Sequence, residues 1–174
     1  MSPEPSKGTL TNIVEQIGRG IQVCLENDCH GSALILIYSA IDAMAFLGLP
    51  EGRDEVKADD YIKWCERYMP LCADCSVTGD ELYSARCGIV HTYAIDSRRT
   101  RSGACRLVGY ADRMEPPVRY VPSIDKNFVL VSIAALADGL FSGMDKFLVD
   151  RFSDQTVRPI IEKRLDRLYK VFRT

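Results

Sequence analysis

Apolar residues recur every three or four positions through most of the chain, the spacing that places them on one face of an α-helix. The first stripe runs from Leu10 to Leu25. The second runs from Ser32 to Leu47 and is apolar on nearly every face, so we expect it to be the central helix. Further stripes cover 59–68, 78–93, 128–152 and 155–172. The pattern predicts an all-α protein, a bundle of five to six helices.

Between the fourth and fifth stripes the sequence becomes turn-rich and strand-like. Residues 96–103 are polar and basic, and the short runs 107–110 and 118–121 lie on either side of two prolines. The composition of these two runs predicts a small β-hairpin within residues 105–122. We therefore expect a flexible N-terminus over residues 1–8 and a single helical domain over 9–174. An insertion interrupts that domain at about 96–125.

The composition fits one globular domain, with 47% apolar and 26% charged residues in 174 positions. The N-terminus lacks the basic and then apolar order of a secretory signal. The longest apolar run is interrupted by Ser39 and Asp42, so we expect no membrane-spanning helix and no membrane partner. Seven cysteines, an odd number, fit a reducing cytoplasm, where we place the protein.

The cysteines and histidines give no reason to expect a metal or a cofactor. Cys72 and Cys75 have CxxC spacing, but a zinc site needs two more ligands, and the sequence has no second CxxC and no HxxxH. A thioredoxin-like redox site needs a strand-to-helix context, which the pattern does not predict there. His30 falls in a predicted turn and is interpreted as a loop residue rather than a ligand.

Charge is distributed unevenly along the chain. Residues 1–85 hold 6 basic and 14 acidic side chains, whereas residues 86–174 hold 16 basic and 10 acidic ones. Two interpretations remain open: the halves attract each other, or the second half binds an anionic partner such as RNA. Arg98, Arg99 and Arg101 in the polar segment are candidate phosphate-binding residues, and the alternative is a solvated loop.

Arg86 and His91 lie late in the helix that opens with the capping box Thr78-Gly-Asp-Glu81. Histidine exchanges a proton near neutral pH and can act as a general base or acid. Arginine stays charged, and its planar fork matches the oxygens of a phosphate. A base for the 2′-hydroxyl and a cation for the phosphate are sufficient to cleave RNA without a metal, so this pair is a minimal catalytic set.

With Tyr93, the segment reads R-x4-H-x-Y and resembles the signature of HEPN-domain proteins. The extended form with tyrosine is that of HEPN toxins paired with nucleotidyltransferase-like antitoxins. The resemblance covers about residues 10–93 and the helix after Phe128. It implies a HEPN-like fold, a homodimer, an RNA substrate and catalytic roles for Arg86, His91 and Tyr93. It also implies that an antitoxin of that type could nucleotidylate Tyr93.

Ideal helix geometry separates the two catalytic candidates. Arg86 and Tyr93 lie within about 20° of each other around the axis, whereas His91 lies about 140° from Arg86. We therefore expect the helix to end or distort near His91, or a second subunit to complete the site. Gly88 would allow the close helix approach of such a dimer. Cys87 stands where the family usually has a polar residue.

The same residues also permit a structural interpretation. Arg86 could pair with Asp42 or Glu81, and His91 could stabilise the C-terminus of its helix. Asp42 lies in an apolar helix, so it must either be paired or face a cleft. The alternative function is thus a non-catalytic, HEPN-like dimeric interaction module. A third hypothesis is a small-molecule site around Asp42 and Tyr38.

Overall fold

The computed structural model describes residues 6–73, 77–165 and 167–168. This part of the chain is mainly helical, as expected, but it is not purely all-α, because it contains a three-stranded sheet where only a small hairpin was expected. The helices are α1 (Ser6–Glu26), α2 (His30–Leu47), α3 (Ala58–Tyr68), α4 (Pro70–Ala73), α5 (Gly79–Thr92), α6 (Arg98–Arg101), α7 (Ile133–Ser153) and α8 (Arg158–Leu165). The strands are β1 (Leu107–Ala111), β2 (Val118–Tyr120) and β3 (Phe128–Ser132).

Helix α2 is the central element, as its sequence predicts. It contacts α1, α3, α5, α7 and α8, and Ile37, Tyr38 and Ile41 have no exposed surface. By length and composition alone α2 could cross a membrane, but half of it is buried inside the protein by these neighbours. The apolar residues on nearly every face of α2 are therefore accounted for by the helices that surround it.

The three strands form a sheet in the order β1-β3-β2, with β3 parallel to β1 and antiparallel to β2. The predicted hairpin is wrong in its pairing: both runs are strands, but β3 lies between them. Residues 128–132 were expected to be the first turns of the helix that is now α7. Their continuous apolar run is buried on both faces, a pattern that fits a buried strand as well as a helix. Ser132 then begins α7 by accepting the N–H of Ala135.

The ends of the domain also differ from the expectation. Helix α1 begins at Ser6, so residues 6–8, expected to be flexible, are helical, and residues 1–5 lie outside the described residues. The expected insertion at 96–125 contains α6 and supplies β1 and β2 to the sheet. Of the last helix expected over 155–172, the structure describes α8, whereas residues 166 and 169–172 lie outside the described residues. Cys75 of the CxxC pair likewise falls outside the described residues.

A buried arginine joins α8 to the end of α2. Arg164, which is 5% exposed, donates from Nη1 to the carbonyls of Leu47, at 3.3 Å, and Leu49. Its Nη2 donates to the carbonyls of Pro50 at 2.7 Å and Arg53 at 3.0 Å. Carbonyls at a helix C-terminus lack intrahelical donors, and a cation is favoured there by the helix dipole. Arg164 therefore fixes the turn by which the chain leaves α2.

We expect Arg164→Met to lower the free energy of unfolding by about 2–3 kcal/mol, because it leaves buried carbonyls without donors. Urea denaturation followed by circular dichroism measures the change. The control is Lys163→Met, an exposed neighbour on the same helix, which should change stability by less than about 0.5 kcal/mol. Equal losses in the two variants would contradict the role given to Arg164.

Candidate functional site

The helix that carries the candidate site is anchored at its start. Thr78 Oγ1 accepts the N–H of Glu81 at 3.2 Å, and Glu81 Oε2 accepts the N–H of Thr78 at 2.9 Å, which confirms the predicted capping box. Arg106, just before β1, donates to the same Glu81 carboxylate, with Nη2 2.9 Å from Oε2. The side chain of Glu81 is only 7% exposed, so this ion pair fixes α5 against the segment that leads into the sheet.

The turn that ends α5 requires a glycine at position 88, because the chain after the helix passes directly over that residue. Tyr93 has the left-handed φ of 57°, and the carbonyl of Gly88 accepts from Thr92 Oγ1 at 2.9 Å and from the N–H of Ala94 at 3.2 Å. The chain then crosses back over Gly88, where a Cβ would lie 2.6 Å from the carbonyl oxygens of Ala94 and Asp96. This face of Gly88 is covered by its own chain. It is therefore not open to a second helix, contrary to the role expected for it in a dimer.

The two catalytic candidates meet within one chain. Arg86 Nη1 lies 2.9 Å from His91 Nε2, while Arg86 Nε and Nη2 lie 2.8 and 2.7 Å from Asp42 Oδ2. The side chains of Arg86 and Asp42 are 20% and 26% exposed, and His91 is exposed. The expected difficulty of bringing Arg86 and His91 together in one subunit is thus overcome at the end of the helix. The structural expectation of an Arg86–Asp42 ion pair is also confirmed.

The charges of this group keep the guanidinium in place. A guanidinium can only donate, so His91 Nε2 is the acceptor in this hydrogen bond. Burial alone would lower the pKa of Arg86, but the hydrogen bond and charge of Asp42 outweigh it and raise that pKa. Burial raises the pKa of Asp42, and the hydrogen bond and charge of Arg86 offset part of the rise. Arg86 therefore stays charged, with Nη1 directed at the exposed ring of His91.

Tyr93 lies over the first turn of α2. It is 62% exposed, and a Cβ on Gly31 would lie 2.2 Å from its hydroxyl oxygen. His30, which precedes Gly31, was expected to lie in a loop. In the structure it is the first residue of α2. His30 Nε2 lies 3.2 Å from Asp112 Oδ1 but has no hydrogen-bond partner in favourable geometry. Tyr93 therefore brings the end of α5 against the start of α2, a contact that nothing in the sequence around Gly31 indicates.

Cys87 adds a contact from the position that departs from the HEPN pattern. It is half-buried, and its thiol lies close enough to the side chains of Tyr83 and Arg86 to interact with both. A thiol is a weak donor and acceptor, so it can support a charged neighbour without a charge of its own. Although Cys87 departs from the HEPN pattern, it still places a weakly polar group next to the guanidinium of Arg86.

Tyr38, by contrast, belongs to the core. Its side chain has no exposed surface, and its hydroxyl lies 2.6 Å from that of Tyr110 on β1. Burial and the neighbouring Tyr110 raise the pKa of Tyr38 well above its usual value, so it stays a neutral phenol. The structure therefore does not bring Tyr38 and Asp42 together in an open small-molecule site.

Several basic side chains of the second half of the sequence form ion pairs with acidic side chains of the first half. Arginines of the second half pair with acids of the first half, and Arg99 Nη2 lies 2.5 Å from Asp80 Oδ1 in addition to the pairs of Arg86 and Arg106. Arg101 pairs with Asp96 at 3.0 Å, whereas Arg98 is exposed. These pairs favour attraction between the two halves over a phosphate-binding loop. Of the three candidate phosphate-binding arginines, two are already engaged by carboxylates.

Comparison of the chain with protein-family models, with curated proteins and with solved structures gives no match. Across residues 6–73, 77–165 and 167–168, no group of three or more His, Cys, Asp or Glu side chains is placed to hold a metal ion. The end of α5 places a histidine next to a fixed cation, a pair of groups whose chemistry suits proton transfer beside an anion.

We expect stability to fall when the pH drops below about 4, partly through Asp80. Burial alone would raise the pKa of Asp80, but hydrogen bonds from Cys105 and Arg99 outweigh it and lower that pKa. The unfolded chain therefore takes up a proton at a higher pH than the folded chain, and the stabilisation present above that range is lost in acid. Urea unfolding between pH 6 and pH 3 should show a weaker pH dependence in Asp80→Asn. The exposed control Asp145→Asn should keep the dependence of the wild type.

We expect Gly31→Ala to displace the ring of Tyr93 at a cost below about 1 kcal/mol, because the clash is with the end of an exposed, movable side chain. NMR of the tyrosine rings, assigned with Tyr93→Phe, measures the displacement. Gly20→Ala is the control, since its Cβ would meet only Leu36, at an ordinary 3.5 Å. Unchanged Tyr93 resonances in Gly31→Ala would show that the ring does not rest on this turn.

Proposed function

We propose that the chain is a metal-independent RNA endonuclease of the HEPN-like toxin or defence type. The observation that carries the proposal is the 2.9 Å contact between Arg86 Nη1 and His91 Nε2 at an exposed helix end, with Arg86 held by Asp42. The resemblance of Arg86, His91 and Tyr93 to the R-x4-H-x-Y signature supports the same activity.

The contact between the two side chains supports a simple sequence of events. The phosphate of a bound RNA draws Arg86 Nη1 away from His91, which frees the lone pair on His91 Nε2. Nε2 then removes the proton of the 2′-hydroxyl, and the 2′-oxygen attacks the adjacent phosphorus. The bond to the 5′-oxygen breaks, the imidazolium returns its proton to that oxygen, and a 2′,3′-cyclic phosphate and a 5′-hydroxyl are formed. Arg86 stabilises the charge on the phosphate throughout.

Asp42 and Tyr93 have supporting roles in this proposal. Asp42 holds two N–H groups of Arg86 on one oxygen, so that Nη1 remains directed at the reacting phosphate. Tyr93 is exposed beside His91, which makes its ring available to RNA and its hydroxyl available to a nucleotidyltransferase-like antitoxin. The homodimer implied by the resemblance remains part of the proposal, with a complete Arg86–His91 pair in each subunit.

The proposal is tested by RNA cleavage in EDTA. We expect the purified protein to cleave single-stranded RNA to products ending in 2′,3′-cyclic phosphate. Arg86→Ala and His91→Ala should each lower the rate by at least about 100-fold, the usual contribution of a general base. Asp42→Asn should give a smaller loss, because the cation remains but is less well fixed. Arg19→Ala, which removes an exposed arginine of α1, is the matched control and should cleave as the wild type does.

Two outcomes of this assay would contradict the proposal. Equal cleavage by the wild type, Arg86→Ala and His91→Ala would mean that the activity does not come from this site. The absence of cleavage by the wild type would favour the second candidate function, a non-catalytic interaction module. That candidate is supported by the neutralisation of Arg86 by Asp42 and by the exposed apolar side chains of Tyr93 and Ile95 at the same helix end.

A further inference from the structure

Strand β2 lies at an edge of the sheet and has one side free. In the described part of the chain the strand order is β1-β3-β2, so β2 pairs with β3 alone. On the β3 side, the carbonyl of Pro117 accepts from the N–H of Ser132 at 2.8 Å, and the N–H of Val121 donates to a carbonyl of β3 at 3.3 Å. Since the backbone groups of successive residues point to alternate sides of an antiparallel strand, those of Val118 and Tyr120 point away from β3.

Val118 and Tyr120 therefore present a short unpaired edge. Across residues 6–73, 77–165 and 167–168, no hydrogen bond engages the backbone N–H or C=O of either residue. The edge is open to solvent at Tyr120, which is 51% exposed. Pro116 and Pro122, the next residues of the same alternation, have no N–H and so limit the edge to two donors and two acceptors. An extended segment can form four hydrogen bonds here, as peptides do when they add a strand to a sheet.

Arg119 gives this edge its charge. It is exposed, lies between the two edge residues, and its Nη2 donates to the carbonyl of Glu115 at 2.9 Å. Among the residues that the structure describes, no ion pair engages Arg119. The other charged residues of 113–126 are exposed and balance one another, with Arg113 and Lys126 positive and Glu115 and Asp125 negative. The charge of Arg119 therefore favours an acidic residue directly opposite it on an added strand.

The same charge disfavours a second copy of the chain at this edge. Antiparallel pairing of β2 with its own copy uses all the free backbone groups only in the register that places Val118 of one copy opposite Tyr120 of the other. In that register the Arg119 side chains of the two copies lie opposite each other, and like charges in opposite positions destabilise a strand pair. A different chain with an acid at the central position avoids this repulsion.

We propose that the free edge of β2 binds an extended segment of a partner protein in which an acidic residue stands between two apolar residues. The acid lies opposite Arg119. The apolar residues lie opposite Val118 and Tyr120, on the face of the strand where Val118 packs against the core. Their backbone groups complete the four hydrogen bonds, which supply affinity, while Arg119 supplies the preference for an acid. The inference goes beyond the proposed ribonuclease activity and does not depend on it.

NMR titration of the isotope-labelled full chain with the peptide acetyl-Thr-Val-Glu-Val-Thr-amide tests the proposal. We expect the amide resonances of Val118 and Tyr120 to shift. Arg119→Glu should weaken binding of this peptide about tenfold, because an attraction becomes a repulsion. The same variant should bind the peptide with lysine in place of glutamate as tightly as the wild type binds the original peptide. Arg113→Glu, an exposed control in the loop before β2, should change the affinity by less than about twofold.

Modified peptides test the backbone hydrogen bonds separately from the charge. N-methylation of a valine removes an N–H that faces β2 and should weaken binding about tenfold, whereas N-methylation of the glutamate, whose N–H faces away, should leave it unchanged. The proposal would be overturned by the absence of binding, by equal affinity of the wild type for the glutamate and lysine peptides, or by binding that leaves both edge amides unshifted. Shifts of those amides with protein concentration alone would assign the edge to a second copy and would also overturn it.

Discussion

The ion pair between Asp42 and Arg86 is the interaction on which the candidate site depends. Asp42 lies in the central apolar helix, where an unpaired carboxylate would lose its hydration without compensation. Pairing with Arg86 removes that cost and joins α2 to α5. Because Asp42 engages Nε and Nη2, the remaining nitrogen of the guanidinium is directed at His91. The need to pair the carboxylate of Asp42 within the apolar helix thus determines where the guanidinium of Arg86 lies.

The end of α5 provides the second half of the arrangement. The left-handed residue Tyr93 and the crossing of the chain over Gly88 end the helix within two residues of His91. An exposed last turn leaves His91 accessible, while the capping box and the ion pair of Glu81 hold the other end of the helix. The site therefore combines a rigid helix with an accessible end, which suits groups that must be fixed and must also reach a large substrate.

Periodicity along the sequence was sufficient to predict the main helices, because each buries one face against the others. It could not identify β3, since a short apolar run buried on both faces satisfies a strand and a helix equally, and strand pairing depends on residues far apart in the chain. Around the site, the sequence indicated Arg86 and His91 and offered Asp42 as a partner. The sequence left two ways to bring Arg86 and His91 together, a helix that ends near His91 or a second subunit, because ideal helix angles ignore the length of the arginine side chain and the turn that ends the helix.

The structural and the catalytic interpretations of Arg86 do not exclude each other. A carboxylate that binds two of its nitrogens restricts the rotation of a long side chain, so the entropy of ordering that side chain is spent in folding rather than in substrate binding. The same carboxylate weakens the attraction of Arg86 for an approaching phosphate, because it neutralises the charge at long range. At contact distance, however, Nη1 still presents its donors, and in the proposed activity a charged phosphate oxygen takes the place of His91 Nε2 as their acceptor. In the proposed activity, Asp42 therefore makes Arg86 bind a phosphate through the direction of its N–H groups rather than through long-range attraction by its charge.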